Sequence, residues 1–235
     1  MRGNCRLCLR ESSLCRSHVI PEFLYRPIYD EKHQALHVSS SAEHRTRPIQ
    51  QGLREYLLCR PCEDLLNRWE TVAAPVFRSA AQAAFSARPG QRVRVRADYL
   101  PIKLFQLSIL WRSSVATGAA FADVSLGPHE DRIRERLVAQ DPGEPHEYGC
   151  MLISVRGAHN LTEIMRFPSR RRYAGKVAYV YLLAGLVWQY IVSSSKPSSQ
   201  HHDFLDAEGL VILVAGRTEA DILRSFAKRI PPGNL

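Results

Sequence analysis

Four of the six cysteines in this chain form two C-x-x-C pairs, and no other residues have a spacing that indicates chemistry as clearly. The pairs are Cys5 with Cys8 and Cys59 with Cys62. Two thiolates three positions apart on a tight turn can bind one ion, and two such turns complete the tetrahedral four-thiolate site typical of structural zinc. The first residues have no apolar segment typical of a secretory signal, so we expect a metal site rather than disulfides.

A histidine follows the first cysteine pair in an extended, apolar context. His18 lies in the stretch Ser-His-Val-Ile-Pro, residues 17–21. A neutral imidazole near pH 7 can serve as a general base, which makes His18 a candidate catalytic residue. A histidine in such a strand is also typical of a core side chain that is hydrogen-bonded to the backbone, and the sequence leaves both interpretations open.

The order of these features gives the first third of the chain, about residues 1–75, a resemblance to the HNH (ββα-metal, His-Me finger) endonucleases. The matching stretches are CRLC, SHVIP and LLCRPCE. The resemblance implies an N-terminal treble-clef zinc finger that hydrolyses phosphodiester bonds of nucleic acid, with DNA as the expected substrate. It also implies that His18 is the general base, and that Mg²⁺ or Mn²⁺ holds the scissile phosphate.

Two positions depart from that family. The residue before the base is often Asp or His, but here it is Ser17, and the residue after the last cysteine is commonly His or Asn, but here it is Glu63. A carboxylate suits a hard divalent cation, so Glu63 is the predicted ligand of the catalytic metal. If a helix begins at the second cysteine pair, Glu63, Asn67 and Glu70 lie on one face, and we expect a catalytic site of His18, Glu63 and Asn67. A solvated polar face has the same pattern.

The departures leave two other functions open. One is a catalytically inactive zinc finger that binds nucleic acid, and the other is a zinc-stabilised scaffold that binds a protein partner or a second copy of the chain. A role in bacterial or phage defence would fit the nuclease by analogy alone. The arginines that could contact phosphates in the binding module are Arg6, Arg10, Arg16, Arg54, Arg60 and Arg68.

Composition supports a globular protein with an anionic partner. The 235 residues are 45% hydrophobic and 23% charged, and the formal net charge is +9. The longest apolar run, 177–192, contains Gly185 and Gln189 and is shorter than a membrane-spanning helix requires, so we expect a cytoplasmic protein without membrane segments. The chain has no Walker A loop, no G-x-S-x-G elbow and no G-x-G-x-x-G loop, which disfavours the enzyme classes built on them.

The pattern of apolar residues predicts an α+β protein of two domains, an HNH-like zinc-finger domain at 1–80 and an α+β domain of unknown role at 96–235. In the first domain we expect a strand that leads into Cys59, a helix after Cys62, and a loop over residues 30–50. Residues 86–97 are expected to be a linker or a short exposed strand. The elements expected in the second domain are helices at 99–115, 129–140 and from Thr218, and strands at 121–126, 148–155, 177–192 (with a hairpin turn at Ala184-Gly185) and 209–216.

Overall fold

The computed structural model describes residues 1–37, 47–155, 164–196 and 203–215. Within these ranges the strands are β1 Arg2–Asn4, β2 Glu11–His18, β3 Ala35–His37, β4 Arg47–Ile49, β5 Arg54–Cys59, β6 Arg92–Val95, β7 Cys150–Val155, β8 Arg166–Tyr173, β9 Lys176–Leu183, β10 Leu186–Val192 and β11 Leu210–Ala215. The helices are α1 Glu22–Tyr25, α2 Arg60–Ser86, α3 Tyr99–Val115 and α4 His129–Ala139, with single 3₁₀ turns at Arg26–Ile28 and Ala119–Phe121. The mixed content confirms the α+β class.

The N-terminal part is a small antiparallel sheet followed by a long helix. The strand order is β1-β2-β5, and α2 begins at the residue after β5 ends. Pro61 occupies the first turn of α2, where its missing N–H costs nothing, and Glu63 in the same turn is favourable to the helix dipole. The buried residues of α2 recur at helical spacing and form one apolar stripe: Cys62, Leu66, Trp69, Ala73, Phe77, Ala80 and Ala84.

The C-terminal part contains a six-stranded sheet of order β6-β11-β7-β10-β9-β8. All of its neighbouring strands are antiparallel except β11 and β7, which are parallel. The predicted hairpin in 177–192 is confirmed. Its turn residues Ala184 and Gly185 have φ of 49° and 77°, the positive values that a tight two-residue hairpin turn requires.

The two parts share one hydrophobic core, with α3 at its centre. Nearly every side chain of α3 is buried, as expected for a helix whose apolar residues surround its axis. Phe77 of α2 stacks on Trp188 of β10 with ring centroids 4.5 Å apart, and Phe105 of α3 lies 5.4 Å from Phe77. The large buried cluster therefore contains residues from both predicted domains.

The structure corrects one predicted strand and adds elements that were not expected. Residues 121–126 are not a strand, because Phe121, Ala122 and Val124 each donate a backbone N–H to the residue three positions earlier. Part of the segment expected as a loop forms the two-stranded sheet of β3 and β4, and the arginine run at 170–172 lies in β8, an edge strand. Residues 86–97 were expected to be a linker or a short exposed strand, and they contain the short strand β6.

The predicted helix from Thr218 falls outside the described residues. Within the described ranges, no helix is both long enough and apolar enough to cross a bilayer.

Candidate metal centre and adjoining histidine

The four cysteines of the two C-x-x-C pairs come together at the start of α2. The Sγ atoms of Cys5, Cys8, Cys59 and Cys62 all lie within 4.8 Å of one another. The Cys8 and Cys59 Sγ atoms are 3.8 Å apart, roughly the edge of a tetrahedron with metal–sulfur bonds of about 2.3 Å. The predicted metal ligands are thus brought together, and their spacing is compatible with structural zinc.

Local backbone structure explains why these cysteines converge. The first pair lies in the turn between β1 and β2, which is closed by the Leu9 N–H bonded to the Cys5 carbonyl at 2.8 Å, with Leu9 at a positive φ of 62°. The Arg6 N–H donates to the Leu57 carbonyl at 2.9 Å and so joins this turn to β5. The second pair spans the end of β5 and the first turn of α2.

The thiols differ in how strongly the protein stabilises their charged form. Burial raises the pKa of Cys59 and, more strongly, of Cys62, where the neighbouring cysteines add to the effect. At Cys5, burial acts in the same direction, but it is outweighed by backbone N–H groups of Cys59, Cys8 and Leu7, which lower the pKa. A cation would therefore stabilise thiolates that burial otherwise disfavours, so metal binding and ionisation of the thiols are coupled.

Cys15 and Cys150 lie apart from this group. Cys150 is fully buried in β7, and burial raises the pKa of its thiol. Cys15 is partly exposed in β2. Among the described histidine, cysteine, aspartate and glutamate residues, the four C-x-x-C cysteines form the one group with metal-ligand spacing.

Glu63 is positioned by the residue that precedes the predicted base. The Ser17 hydroxyl donates to Glu63 Oε2 at 2.5 Å, and Ser17 is fully buried between β2 and α2. Asn67, one turn further along α2, is exposed. Adjacent residues of a strand point to opposite faces, so the bond between Ser17 and Glu63 puts this carboxylate on the other face of β2 from His18. Among the described hydrogen bonds and ion pairs, none joins His18 to Glu63 or Asn67.

His18 lies at the end of β2 in a cluster of polar groups. Its Nε2 atom is 2.9 Å from the donor Nε of Arg54, 3.0 Å from the carbonyl of Gln51, and 2.8 Å from Glu22 Oε2. The Glu22 contact has the distance of an ion pair without hydrogen-bond geometry. One ring nitrogen cannot serve a donor and an acceptor at once, so the tautomer decides which of these hydrogen bonds forms.

The electrostatic surroundings favour a neutral His18. Burial lowers the pKa of the imidazole below its usual 6.5, and the Arg54 guanidinium lowers it further. Glu22, the Gln51 carbonyl and Glu70 act in the opposite direction without reversing the shift. The side chain is 16% exposed, so solvent still reaches the ring. A neutral, partly accessible imidazole can accept a proton.

A buried arginine joins this strand end to the C-terminal part. Arg112 Nη1 donates to the backbone carbonyl of His18 at 2.9 Å and lies 2.8 Å from Glu70 Oε1. Its Nε and Nη2 atoms donate to the carbonyl and hydroxyl of Ser108. Glu70 was predicted to lie on one helix face with Glu63 and Asn67. In the structure it belongs to a buried ion pair with Arg112, a role that its spacing on the helix did not indicate.

Comparison with protein-family models, with curated proteins and with solved structures gives no significant match for this chain.

Sequence reasoning missed two of the residues that contact His18. Glu22 lies four positions after His18, a spacing that could have been noticed. Arg54 begins β5 and is directly opposite His18 in the β2–β5 pairing. The sequence offered Arg54 as one of several phosphate contacts, but the register that puts it beside the imidazole depends on a bulge near Cys15 and Arg16.

Proposed function

We propose that this protein is a metal-dependent endonuclease of the HNH type, with His18 as the general base that takes a proton from the water attacking a phosphodiester bond. The observation that carries the proposal is the pairing of His18 with Arg54, whose nitrogens are 2.9 Å apart at the end of the strand that leads away from the four cysteines. When the guanidinium turns from the imidazole to a bound phosphate, the Nε2 lone pair that it occupied becomes free to take the proton of the attacking water.

The arrangement of elements supports a treble-clef finger with structural zinc. A turn with two cysteines, the β2–β5 hairpin, and a helix whose first turn contains the second pair follow one another in the expected order. Zinc on four thiolates would fix the hairpin against α2 and so hold both His18 and Glu63. Such a site is closed, so this ion would act on structure and not on substrate.

The proposed nuclease would also use a catalytic ion that is distinct from the structural zinc. Mg²⁺ or Mn²⁺ would neutralise charge on the phosphate, and Glu63 is the carboxylate we propose as its ligand. In the described part of the chain, Glu63 is bonded to Ser17 and forms no ligand group with His18. The proposed proton transfer therefore involves His18 as the acceptor and Arg54 as its neighbour, and no residue of α2.

The test is a nicking assay on supercoiled plasmid with Mg²⁺ or Mn²⁺, run with wild type, His18→Ala, Glu63→Ala and the control His129→Ala. His129 is a suitable control because burial also lowers its pKa, but it lies in α4, where Nδ1 contacts the Tyr148 hydroxyl. We expect nicking that requires the metal, is lost in His18→Ala by about 10²- to 10⁴-fold, and persists in His129→Ala. Equal nicking by wild type and His18→Ala would refute the role of His18.

A second candidate function is a zinc finger that binds nucleic acid without cutting it. The observation that favours it is the bond between Ser17 and Glu63, because these two residues occupy the positions where the resembled family has metal ligands. Salt-dependent binding of DNA by zinc-loaded protein that does not nick plasmid under any metal condition would establish this function over the nuclease.

A further inference from the structure

Four side chains share one face of the β2–β5 hairpin. The register pairs Arg16 with Tyr56, Ser17 with Glu55, and His18 with Arg54. Paired residues point to the same side of a sheet and alternate along each strand, so Arg16, Tyr56, His18 and Arg54 lie on one side. We call this the histidine face.

The opposite face of the hairpin is the packed one. Ser17 is fully buried and bonded to Glu63 of α2. Its partner Glu55 accepts hydrogen bonds from the backbone N–H groups of Thr117 and Gly118 at 2.8 and 2.9 Å. The histidine face therefore points away from α2 and from the loop after α3, and its outer residues are open to solvent: Arg16 is exposed, and Tyr56 is 45% exposed.

The cations of the histidine face are available to an anion. Among the described residues, neither Arg16 nor Arg54 forms an ion pair with a carboxylate, and the side-chain hydrogen bonds that Arg54 makes to them come from Nε, which donates to His18 and Gln51. The nearby carboxylate is Glu22, whose Oε1 accepts the Tyr29 hydroxyl at 2.9 Å and whose Oε2 faces His18.

The arginines of β6, at one edge of the six-stranded sheet, differ from those of the histidine face because carboxylates pair with them. In β6, Arg92 pairs with Asp203 at 2.7 Å, and Arg94 pairs with Asp206 at 2.6 Å. Their charge is balanced within the protein, so an anionic partner would have to displace a carboxylate. A phosphate backbone is bound most readily by arginines that no carboxylate contacts directly, and in the histidine face such arginines lie beside an exposed aromatic ring.

We infer that the histidine face binds single-stranded nucleic acid, with one unpaired base stacked on Tyr56 and neighbouring phosphates bound by Arg16 and Arg54. Base stacking on an exposed aromatic ring combined with arginine contacts to phosphates is the general chemistry of single-strand binding. A paired base in a duplex keeps its faces covered by its neighbours and cannot use Tyr56 in this way. The inference rests on the proposed function in one respect, because nucleic acid bound in this way would lie beside His18, the proposed general base.

The experiment measures binding of a short fluorescein-labelled oligothymidylate by anisotropy, without added divalent metal so that no cleavage occurs. Competitors are the unlabelled single strand as DNA, the same sequence as RNA, and a duplex DNA of equal length. The proteins are wild type, Tyr56→Ala, Tyr56→Phe, Arg16→Ala and the control Arg78→Ala, which removes an exposed arginine from α2. Zinc content and thermal unfolding are measured for each, and we expect both to be unchanged because these side chains are exposed.

We expect Tyr56→Ala to weaken binding of the single strand by about 5- to 100-fold, and Tyr56→Phe to bind as wild type does. Arg16→Ala is expected to lower the slope of log affinity against log salt by about 1, whereas Arg78→Ala leaves it unchanged. The single strand should compete better than the duplex, and the ratio of DNA to RNA competition identifies the natural sugar.

Several outcomes would overturn the inference. They are equal affinity of Tyr56→Ala and wild type, a duplex that competes better than the single strand, and no binding of either by zinc-loaded wild type. The nuclease proposal is judged separately, by nicking in the presence of metal. Nicking by a protein whose single-strand affinity is unchanged in Tyr56→Ala would refute the stacking site and leave the nuclease standing, and Tyr56-dependent binding without nicking would do the reverse.

Discussion

Arg112 Nη1 lies 2.9 Å from the backbone carbonyl oxygen of His18, and 94 residues separate the two along the chain. The same nitrogen lies 2.8 Å from Glu70 Oε1. One guanidinium that is 1% exposed therefore joins the end of β2, the middle of α2 and the buried helix α3. The strand end that presents His18 is held by the core of the C-terminal part as well as by the four cysteines.

Replacing this arginine is expected to destabilise the whole protein. Arg112→Met leaves Glu70 and the His18 carbonyl without their donor, and breaking one side of a buried ion pair costs about 3–5 kcal/mol of unfolding free energy. Urea unfolding followed by tryptophan fluorescence measures this loss. The matched control is Arg68→Ala, an exposed arginine of the same helix as Glu70, for which we expect no more than about 0.5 kcal/mol. Equal midpoints for Arg112→Met and wild type would contradict the prediction.

The four-thiolate site predicts one metal ion per chain that depends on the paired cysteines. Cys8→Ser should lose zinc, measured by elemental analysis of purified protein, because the remaining three thiolates do not close a tetrahedron. The control is Cys15→Ser, which removes a thiol from the same part of the chain outside the cluster. Zinc retained by Cys8→Ser, or lost equally by Cys15→Ser, would show that the cluster is not the binding site.

Removal of the metal should also unfold the first part of the chain. Burial raises the pKa of Cys59 and Cys62, so thiolates at these positions depend on a bound cation, and binding energy for the metal is folding energy for the site. A strong chelator is expected to lower the thermal midpoint of wild type and to leave that of Cys8→Ser unchanged. A midpoint of wild type that is insensitive to metal removal would contradict this coupling.

The four-cysteine cluster could be predicted from the sequence because each pair is local and two such pairs are typical of one structural metal site. Each C-x-x-C pair fixes two thiolates on one turn, and the helix after Cys62 follows from the spacing of apolar residues. The histidine cluster could not be predicted in the same way. The contact between Arg54 and His18 requires the β2–β5 register, and a bulge near Cys15 and Arg16 sets that register.

The missed and mistaken strands have physical reasons of their own. Strand β8 contains Pro168 and three consecutive arginines, which resemble a surface loop, but an edge strand has one side without pairing and tolerates both. Apolar and polar residues alternate along 121–126 closely enough to suggest a strand. Their backbone is instead used in consecutive turns, and Ser125 bonds to the Tyr179 hydroxyl through both its N–H and its carbonyl. In both segments, contacts with distant parts of the chain determine the backbone conformation more than the local residue pattern does.

The pKa of His18 is expected to lie below 6.5, and it can be measured without any activity. Burial is the larger cause and Arg54 the next, so Arg54→Ala should raise the pKa toward the ordinary value by removing a neighbouring positive charge. NMR titration of the imidazole Cε1 proton gives both values. If His18 is the base, the cleavage rate falls as the pH decreases through this pKa. The acid limb of the pH–rate profile should then lie at higher pH in Arg54→Ala than in wild type. A pKa above 6.5 in wild type would contradict the electrostatic argument.

Lys103 provides a test of the buried centre of the C-terminal part. The residue is 1% exposed in α3, and its Nζ donates to the carbonyls of Pro145 and Glu147 at 3.1 and 2.7 Å. Burial lowers its pKa from 10.5 to about 8, although Cys150 and Glu147 act in the opposite direction. Between these two values the unfolded chain keeps a proton that the folded chain has lost, so this lysine makes stability rise with pH across that interval.

The comparison that isolates this effect is urea unfolding of wild type and Lys103→Met from about pH 7 to about pH 10. Above about pH 8, the unfolding free energy of wild type should increase relative to that of Lys103→Met, by on the order of 1 kcal/mol per pH unit. Buried tyrosines, whose raised pKa values favour unfolding at high pH, are present in both proteins and largely cancel. The control Lys176→Met removes an exposed lysine and measures the effect of the same substitution outside the core. Parallel curves for Lys103→Met and wild type would show that Lys103 stays protonated in the folded protein.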